Sequence, residues 1–371
     1  MHATNVVRSA ALTEADRLMT ICNGCRYCEG LCAVFPAMEM RRTFGDGDLN
    51  YLANLCHQCG ACYSDCQYSP PHEFNVNVPA TLAKLRNDSY AQYAWPGMFA
   101  GAFARNGLFI TLLASASVAV FIAVFVALKD PAALYGRHAG DFYKLMPHNA
   151  MVALFGAVFI YAIVALAMSL RAFWRDINGD ATGADIGAVG QATGDAAHLR
   201  YLGGGGGGCT SENEKPSALR RVFHHFTFYG FMLCFASTSV ATVYHYAFGW
   251  QAPYALSSAP VLLGIVGGLG LLIGPAGLFV LAQTRDPILT DKPRLGMDTA
   301  FLAMLFLTSL TGFALMLLRD TGAMGLLLAV HLGVVLGLFL SLPYGKFVHG
   351  LYRYLALVKY AHERRTATFV E

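Results

Sequence analysis

The sequence predicts an all-α fold in two parts: a small helical head, residues 1–95, followed by a six-helix transmembrane bundle, residues 96–371. Composition gives the first sign. Hydrophobic residues make up 56% of the 371 and charged residues only 13%, against about 25% charged in ordinary soluble domains. Distribution gives the second: the apolar excess begins near residue 96 and falls into six runs, each near the roughly 20 residues a bilayer requires. The third is the head itself, where apolar residues recur at helical intervals and no strand-like alternation appears.

Eight of the ten cysteines fall in two identical runs in the head, Cys22-x2-Cys25-x2-Cys28-x3-Cys32 and Cys56-x2-Cys59-x2-Cys62-x3-Cys66. This is the bacterial-ferredoxin spacing for [4Fe–4S] clusters, in which the fourth cysteine of each run ligates the other cluster. Three thiolates in a tight turn hold three corners of the cube, and the fourth corner is reached from elsewhere. The expected sets are therefore Cys22, Cys25, Cys28 and Cys66 for one cluster, and Cys56, Cys59, Cys62 and Cys32 for the other. Zinc favours paired spacings and leaves the third cysteine of each run unexplained. A disulfide framework requires an oxidising compartment. The runs depart from the ferredoxin pattern in one respect: Ala33 and Gln67, not proline, follow the fourth cysteines.

Residues 9–21 read as a helix leading into Cys22, with Ala10, Ala11, Ala15, Leu18 and Ile21 at helical intervals. A turn at Gly45–Asp48 precedes a short helix that carries Leu49, Leu52 and Leu55 to Cys56. His57 and His72 read as surface or outer hydrogen-bonding residues near the second run. Pro70 and Pro71 open an extended connector, and a short helix over 80–86 leads to the membrane.

The six spans are expected at about Gly107–Leu128, Asn149–Leu170, Phe223–Phe248, Pro260–Leu281, Thr299–Leu318 and Ala323–Leu342. Lys and Arg number fourteen in segments 171–222, 282–298 and 343–371, against four in the intervening loops. The positive-inside rule then places the head, the 171–222 loop and both termini in the cytoplasm. The N-terminal stretch lacks the apolar core of a signal peptide, which agrees with a reducing, cytoplasmic side for the cysteines and with location in the inner membrane. A net charge of +3 without a basic aromatic-interleaved cluster gives no case for nucleic acid.

Gly264, Gly268, Gly270 and Gly274 on the fourth span are read as a close helix-packing surface, with Pro275 bending the helix. The six-glycine run Gly203–Gly208 lacks the Lys-Ser/Thr of a phosphate loop and reads as a flexible linker or docking loop. Cys209 reads as a free thiol and Cys234 as a small apolar residue.

Ionisable residues inside spans are costly and so are functional candidates. His331 and His349, 18 residues apart, are five helical turns apart on one face. His224 or His225, with His245, occupies the two ends of the third span. Opposite chain directions pair His245 with His331 at the outer level, and His224 or His225 with His349 at the inner level. Two such pairs suit axial ligation of one or two b-type haems by His224, His245, His331 and His349. His138 and His148 read as surface residues of an outer loop.

The cysteine runs, the glycine run before Cys209, and the segments HHFTFYGFMLCFASTSVATVYHY and HLGVVLGLFLSLPYGKFVHG together resemble the tricarballylate/citrate utilisation protein B family over most of the chain. The His331/His349 segment more loosely resembles the haem-bearing helix of nitrate reductase membrane subunits. The family resemblance implies an iron–sulfur and haem membrane protein. It would reoxidise the reduced flavin of an FAD-containing partner, tricarballylate dehydrogenase, and pass electrons to quinone. The residues alone support a one-electron relay from a soluble donor to the membrane, with substrate chemistry on another polypeptide, since no flavin or nicotinamide fold is apparent. They leave open a membrane-anchored iron–sulfur redox sensor, or an electron-transfer subunit for another flavoprotein dehydrogenase.

Overall fold

The computed structural model describes residues 8–128, 134–179, 183, 185–212, 215–291, 293 and 295–366. Residues 1–7, part of the stretch behind the signal-peptide reading, lie outside that set. Among the described residues every regular element is helical, apart from an isolated bridge between Cys209 and Ser217.

Helix α1 (Ala10–Cys25) starts where the Ser9 hydroxyl accepts the Leu12 amide at 3.2 Å, satisfying one of the unpaired donors of the helix end. Its buried face is Ala11, Ala15, Leu18 and Met19, the i, i+4, i+7 spacing of an amphipathic helix. Short α2 (Val34–Glu39) follows Cys32. The next helix, α3 (Asp46–Leu55), is capped by the Asp48 carboxylate on the Gly45 amide and ends at Cys56. A single turn, α4 (Ala61–Ser64), carries Cys62. Asn77 caps α5 (Val78–Gln92), which runs well beyond the helix expected at 80–86.

The remaining elements are α6 (Asn106–Leu128), α7 (His148–Asn178), α8 (Ile186–Ala197), α9 (Leu219–Phe248), α10 (Ala259–Thr284), α11 (Leu295–Leu318), α12 (Met324–Ser341) and α13 (Val348–Thr366). Six of these, α6, α7 and α9 to α12, are long and apolar enough to cross a membrane. They overlie the six expected spans. In the bundle α9 packs along α10, α10 on α11, α11 on α12, and α12 on α6 and α7. The α9–α10 seam is a backbone approach. A Cβ at Gly230 would stand 2.9 Å from Gly267 O, and one at Gly270 would stand 2.8 Å from Phe226 O. Small residues on α10 therefore pack as expected, and Ser309 of α11 joins the seam by donating to Gly268 O at 2.7 Å.

His331 and His349 do not share one helix, contrary to the sequence expectation. Leu342–Tyr344 is a 3-10 turn, Gly345 is extended, and a new helix starts at Val348. Pro343 has no amide proton and a fixed φ, so the α-helical ladder stops there. Released from the axis of α12, α13 packs against α3, α7 and α8 instead.

That turn joins head to bundle. Tyr352 of α13 is buried between Phe173 of α7, at 4.9 Å between ring centroids, and Tyr90 of α5, at 5.6 Å. Tyr93 packs on Phe173 at 5.3 Å, accepts from Asn50 at 2.7 Å and donates to the Asp176 carboxylate. A single apolar core extends across this joint from Ala11 to Tyr360.

Candidate functional site

Helix α1 delivers Cys22 and Cys25 from its last turn. Arg26, in the left-handed region at φ 57°, then reverses the chain toward Cys28. Cys22, Cys25, Cys28 and Cys66 line one cavity of about 430 Å³ including its mouth, walled by Phe35 and Val78. The second run leaves α3 at Cys56, turns at Gln58 (φ 55°) and Gly60 (φ 88°), and enters α4. Cys56, Cys59, Cys62 and Cys32 line the second cavity, of about 370 Å³ including its mouth. Each fourth cysteine thus stands at the other run's cavity, and Cys62 also borders the first.

Four thiols around a cavity are the kind of donor set a [4Fe–4S] cube takes. No three His, Cys, Asp or Glu side chains among the described residues are grouped to hold a single ion. Burial, and then the neighbouring thiols Cys28, Cys66 and Cys25, push Cys22 up to about 12. Cys28 is pushed to about 12 by burial and then Cys66. Cys32 is raised by burial and by Cys59 and Cys56. Such thiols hold their protons until a metal displaces them. Where ferredoxins place proline after the fourth cysteine, Cys32 here faces the amides of Val34 and Phe35 at the start of α2, donors that favour a thiolate.

The six-glycine run lies as a cover on the Cys59–Ser64 segment of the second cysteine run. Gly204, Gly205, Gly206 and Gly208 all have positive φ, which glycine adopts without steric cost. A Cβ on Gly204 would stand 2.8 Å from Ala61 Cβ. The Thr210 amide donates to Cys59 O at 2.8 Å, and the Thr210 hydroxyl meets Ser64 at 2.9 Å. Cys209, buried beside Cys59, belongs to this cover.

Of the two readings of His57, surface or outer hydrogen-bonding residue, the structure gives the second. The ring is buried on the second cavity, and its Nδ1 donates to Leu55 O at 2.9 Å. His72 packs with Tyr68 and Phe74.

Below the second cavity, His224 of α9 and His349 of α13 stand with ring centroids 6.1 Å apart. Imidazole nitrogen binds a metal at roughly 2 Å, so at this spacing His224 and His349 would be able to hold one haem iron between them. The His349 Nδ1–H donates to Lys346 O, leaving Nε2 for a metal. Burial, and then Arg353 and Lys346, hold His349 well below the usual imidazole range and therefore neutral. His225, next to His224 in sequence, stacks on Tyr229 instead, which separates the two candidates.

The expected outer pair does not form. His245 stacks on His148 at 3.9 Å, and His331 meets the Thr311 hydroxyl at 3.0 Å. The cause is lateral: α12 packs on α6, α11 and α7, while His245 of α9 is met by His148 at the start of α7. His148, read from sequence as a loop residue, is the first residue of α7. The span reading missed it by one position.

These features define a class: an iron–sulfur-type helical head with clustered cysteines, fused to a bundle of six membrane-length helices. Within that class the chain belongs to the citrate utilization protein B family. The family model "Citrate utilization protein B" matches residues 101–369, and "Citrate utilization protein B Fer4-like domain" matches residues 15–92. The chain is 50% identical over 353 residues to citrate utilization protein B of Escherichia coli, covering 95% of this chain and 92% of that protein. No solved structure matches.

Proposed function

We propose that the protein carries electrons singly from the reduced flavin of a partner dehydrogenase into the membrane, for delivery to quinone. In this reading Cys22, Cys25, Cys28 and Cys66 hold one [4Fe–4S] cluster, and Cys56, Cys59, Cys62 and Cys32 hold the second. His224 and His349 hold a b-type haem. Bound there, the clusters and haem supply one-electron chemistry that splits a flavin's electron pair.

The observation that carries the reading is the join between the second cysteine ring and the histidine pair. Arg353, one turn beyond His349, donates to Cys56 O at 2.8 Å. Arg220, one turn before His224, donates to Gln58 O at 2.6 Å. The same two helices that present the histidines therefore grip the cysteine loop. The family resemblance supports tricarballylate dehydrogenase as the donor, and the Lys/Arg distribution supports a cytoplasmic head and an inner-membrane location.

A dithionite-reduced minus oxidised visible spectrum of the purified protein, with iron, sulfide and haem assays, tests it. A b-type α band with about eight non-haem irons is the expected result. Cluster iron without haem would reduce the histidine pair to a structural contact and overturn the relay.

A further inference from the structure

The two cysteine rings differ in buried charge. At the Cys56 ring, Arg86 donates to Cys56 O at 2.7 Å and to the Gln58 side chain at 3.2 Å. Arg353 donates to the same Cys56 carbonyl at 2.8 Å and to Asn54 O at 3.3 Å. Arg220 donates to Gln58 O at 2.6 Å. Three cations from α5, α13 and α9 thus converge on the short loop between Asn54 and Cys59. Among the described residues none of the three forms an ion pair.

Arg86 is only 4% exposed. Buried cations paired only to carbonyls are costly unless an anion lies nearby. Burial, and then the repulsion of Arg86, bring Arg353 down to about 10. The nearest carboxylate, Asp298, is within the field of Arg86 but is bonded to Lys346 at 2.8 Å, so its charge is shared. Four thiolates around an iron–sulfur cube supply a negative charge at the place these cations surround.

Among the described residues the Cys22 ring has no such set. Asp65, beside Cys66, adds a negative charge that acts on Cys28. Arg26, the cation nearest in sequence, is exposed and donates to Asn23 O, where solvent screens it. Tyr27, at the mouth of this cavity, is 70% exposed.

We propose that Arg86, Arg353 and Arg220 make the cluster at Cys56 the more easily reduced of the two and so direct electrons from the exposed Cys22 ring toward the membrane. The inference rests on the two-cluster reading above. In the step, one electron leaves the reduced cluster at Cys22, Cys25, Cys28 and Cys66 and enters the oxidised cluster at Cys56, Cys59, Cys62 and Cys32. No bond or proton moves, and a reduced flavin replaces the electron at the first ring. Fixed positive charge in a low-dielectric site favours the added electron at the second ring.

Arg86 is the residue to change, because it lies on neither histidine-bearing helix. The full-length protein in detergent is titrated against redox mediators and followed by EPR. Loss of one signal in Cys59→Ser assigns that signal to the Cys56 ring. In Arg86→Gln that signal's reduction constant should fall about tenfold, a shift of about 59 mV for one electron, while the other stays fixed. Arg86→Lys keeps the charge and should restore most of the shift. If Arg86→Gln loses iron, Arg220→Gln, with a half-buried side chain, carries the same expectation. Equal shifts of both signals, no shift, or a wild-type order with the Cys22 ring higher would overturn the proposal. Absence of both signals from the wild-type protein would instead defeat the two-cluster reading.

Discussion

The rings of His224 and His349 lie 6.1 Å apart, centroid to centroid, although one belongs to a membrane-length helix and the other to a helix outside the six. The break at Pro343–Gly345 produces this relationship. It frees α13 from the axis of α12 and lets His349 approach α9 at the head-side end of the bundle.

If this pair holds the haem, His224→Ala and His349→Ala should each abolish the b-type α band in the reduced-minus-oxidised spectrum. His225→Ala should keep it, because that ring stacks on Tyr229. His331→Ala should also keep it, because His331 meets Thr311. Retention of the band in both His224→Ala and His349→Ala would place the haem elsewhere.

The local features of this fold were legible in the sequence, and the long-range ones were not. Six apolar runs gave six helices because length and hydropathy suffice to define a span. The doubled cysteine spacing pointed to two rings because its geometry is mostly that of a tight turn. The end of the sixth span at Leu342 was legible, but the redirection of α13 was not, because the 18-residue interval from His331 to His349 fits a continuous helix; Pro343 and Gly345 are the signals against it. The role of the glycine run depends on Ala61, Cys59 and Ser64, which no periodicity connects to Gly204 or Thr210. Arg86 and Arg353 look like ordinary helix cations until the fold brings them to one carbonyl.

The joint between head and bundle makes a stability expectation. Tyr352 is fully buried against Tyr90, Tyr93 and Phe173. Truncating a large buried aromatic to alanine costs about 3–5 kcal/mol. Tyr352→Ala should therefore lower the thermal unfolding midpoint in detergent. Tyr352→Phe, which keeps the ring, should stay near wild type. Equal midpoints for Tyr352→Ala and wild type would mean that the head is not held through this contact.

The glycine cover makes a different one. Gly204 has φ 50°, and an added Cβ would stand 2.8 Å from Ala61 Cβ. Gly204→Val meets both the backbone strain of a β-branched residue at positive φ and a close contact. The loop should lift from the Cys59–Ser64 segment. In air the EPR signal assigned to the Cys56 ring should then decay several-fold faster, with the other signal unaffected. Unchanged decay would show that the cover does not shield that ring.

The crossing of the fourth cysteines is the sharpest test of the head, because it separates two arrangements that contain the same eight residues. In the crossed arrangement Cys66 completes the ring of Cys22, Cys25 and Cys28, and Cys32 completes that of Cys56, Cys59 and Cys62. In the uncrossed one each run would serve itself. Cys66→Ser should therefore alter the EPR signal that Cys25→Ser also alters, and leave the signal lost in Cys59→Ser. Cys32→Ser should do the reverse. Serine is a poorer iron ligand than a thiolate, so the affected cluster should become labile and lose iron while the partner ring retains its four. Cys62 borders both cavities, so Cys62→Ser should damage its own ring and also perturb the line shape of the other. Cys66→Ser grouping with Cys59→Ser would mean that each run closes on itself, and the electron path would then have to be redrawn from the second ring outward.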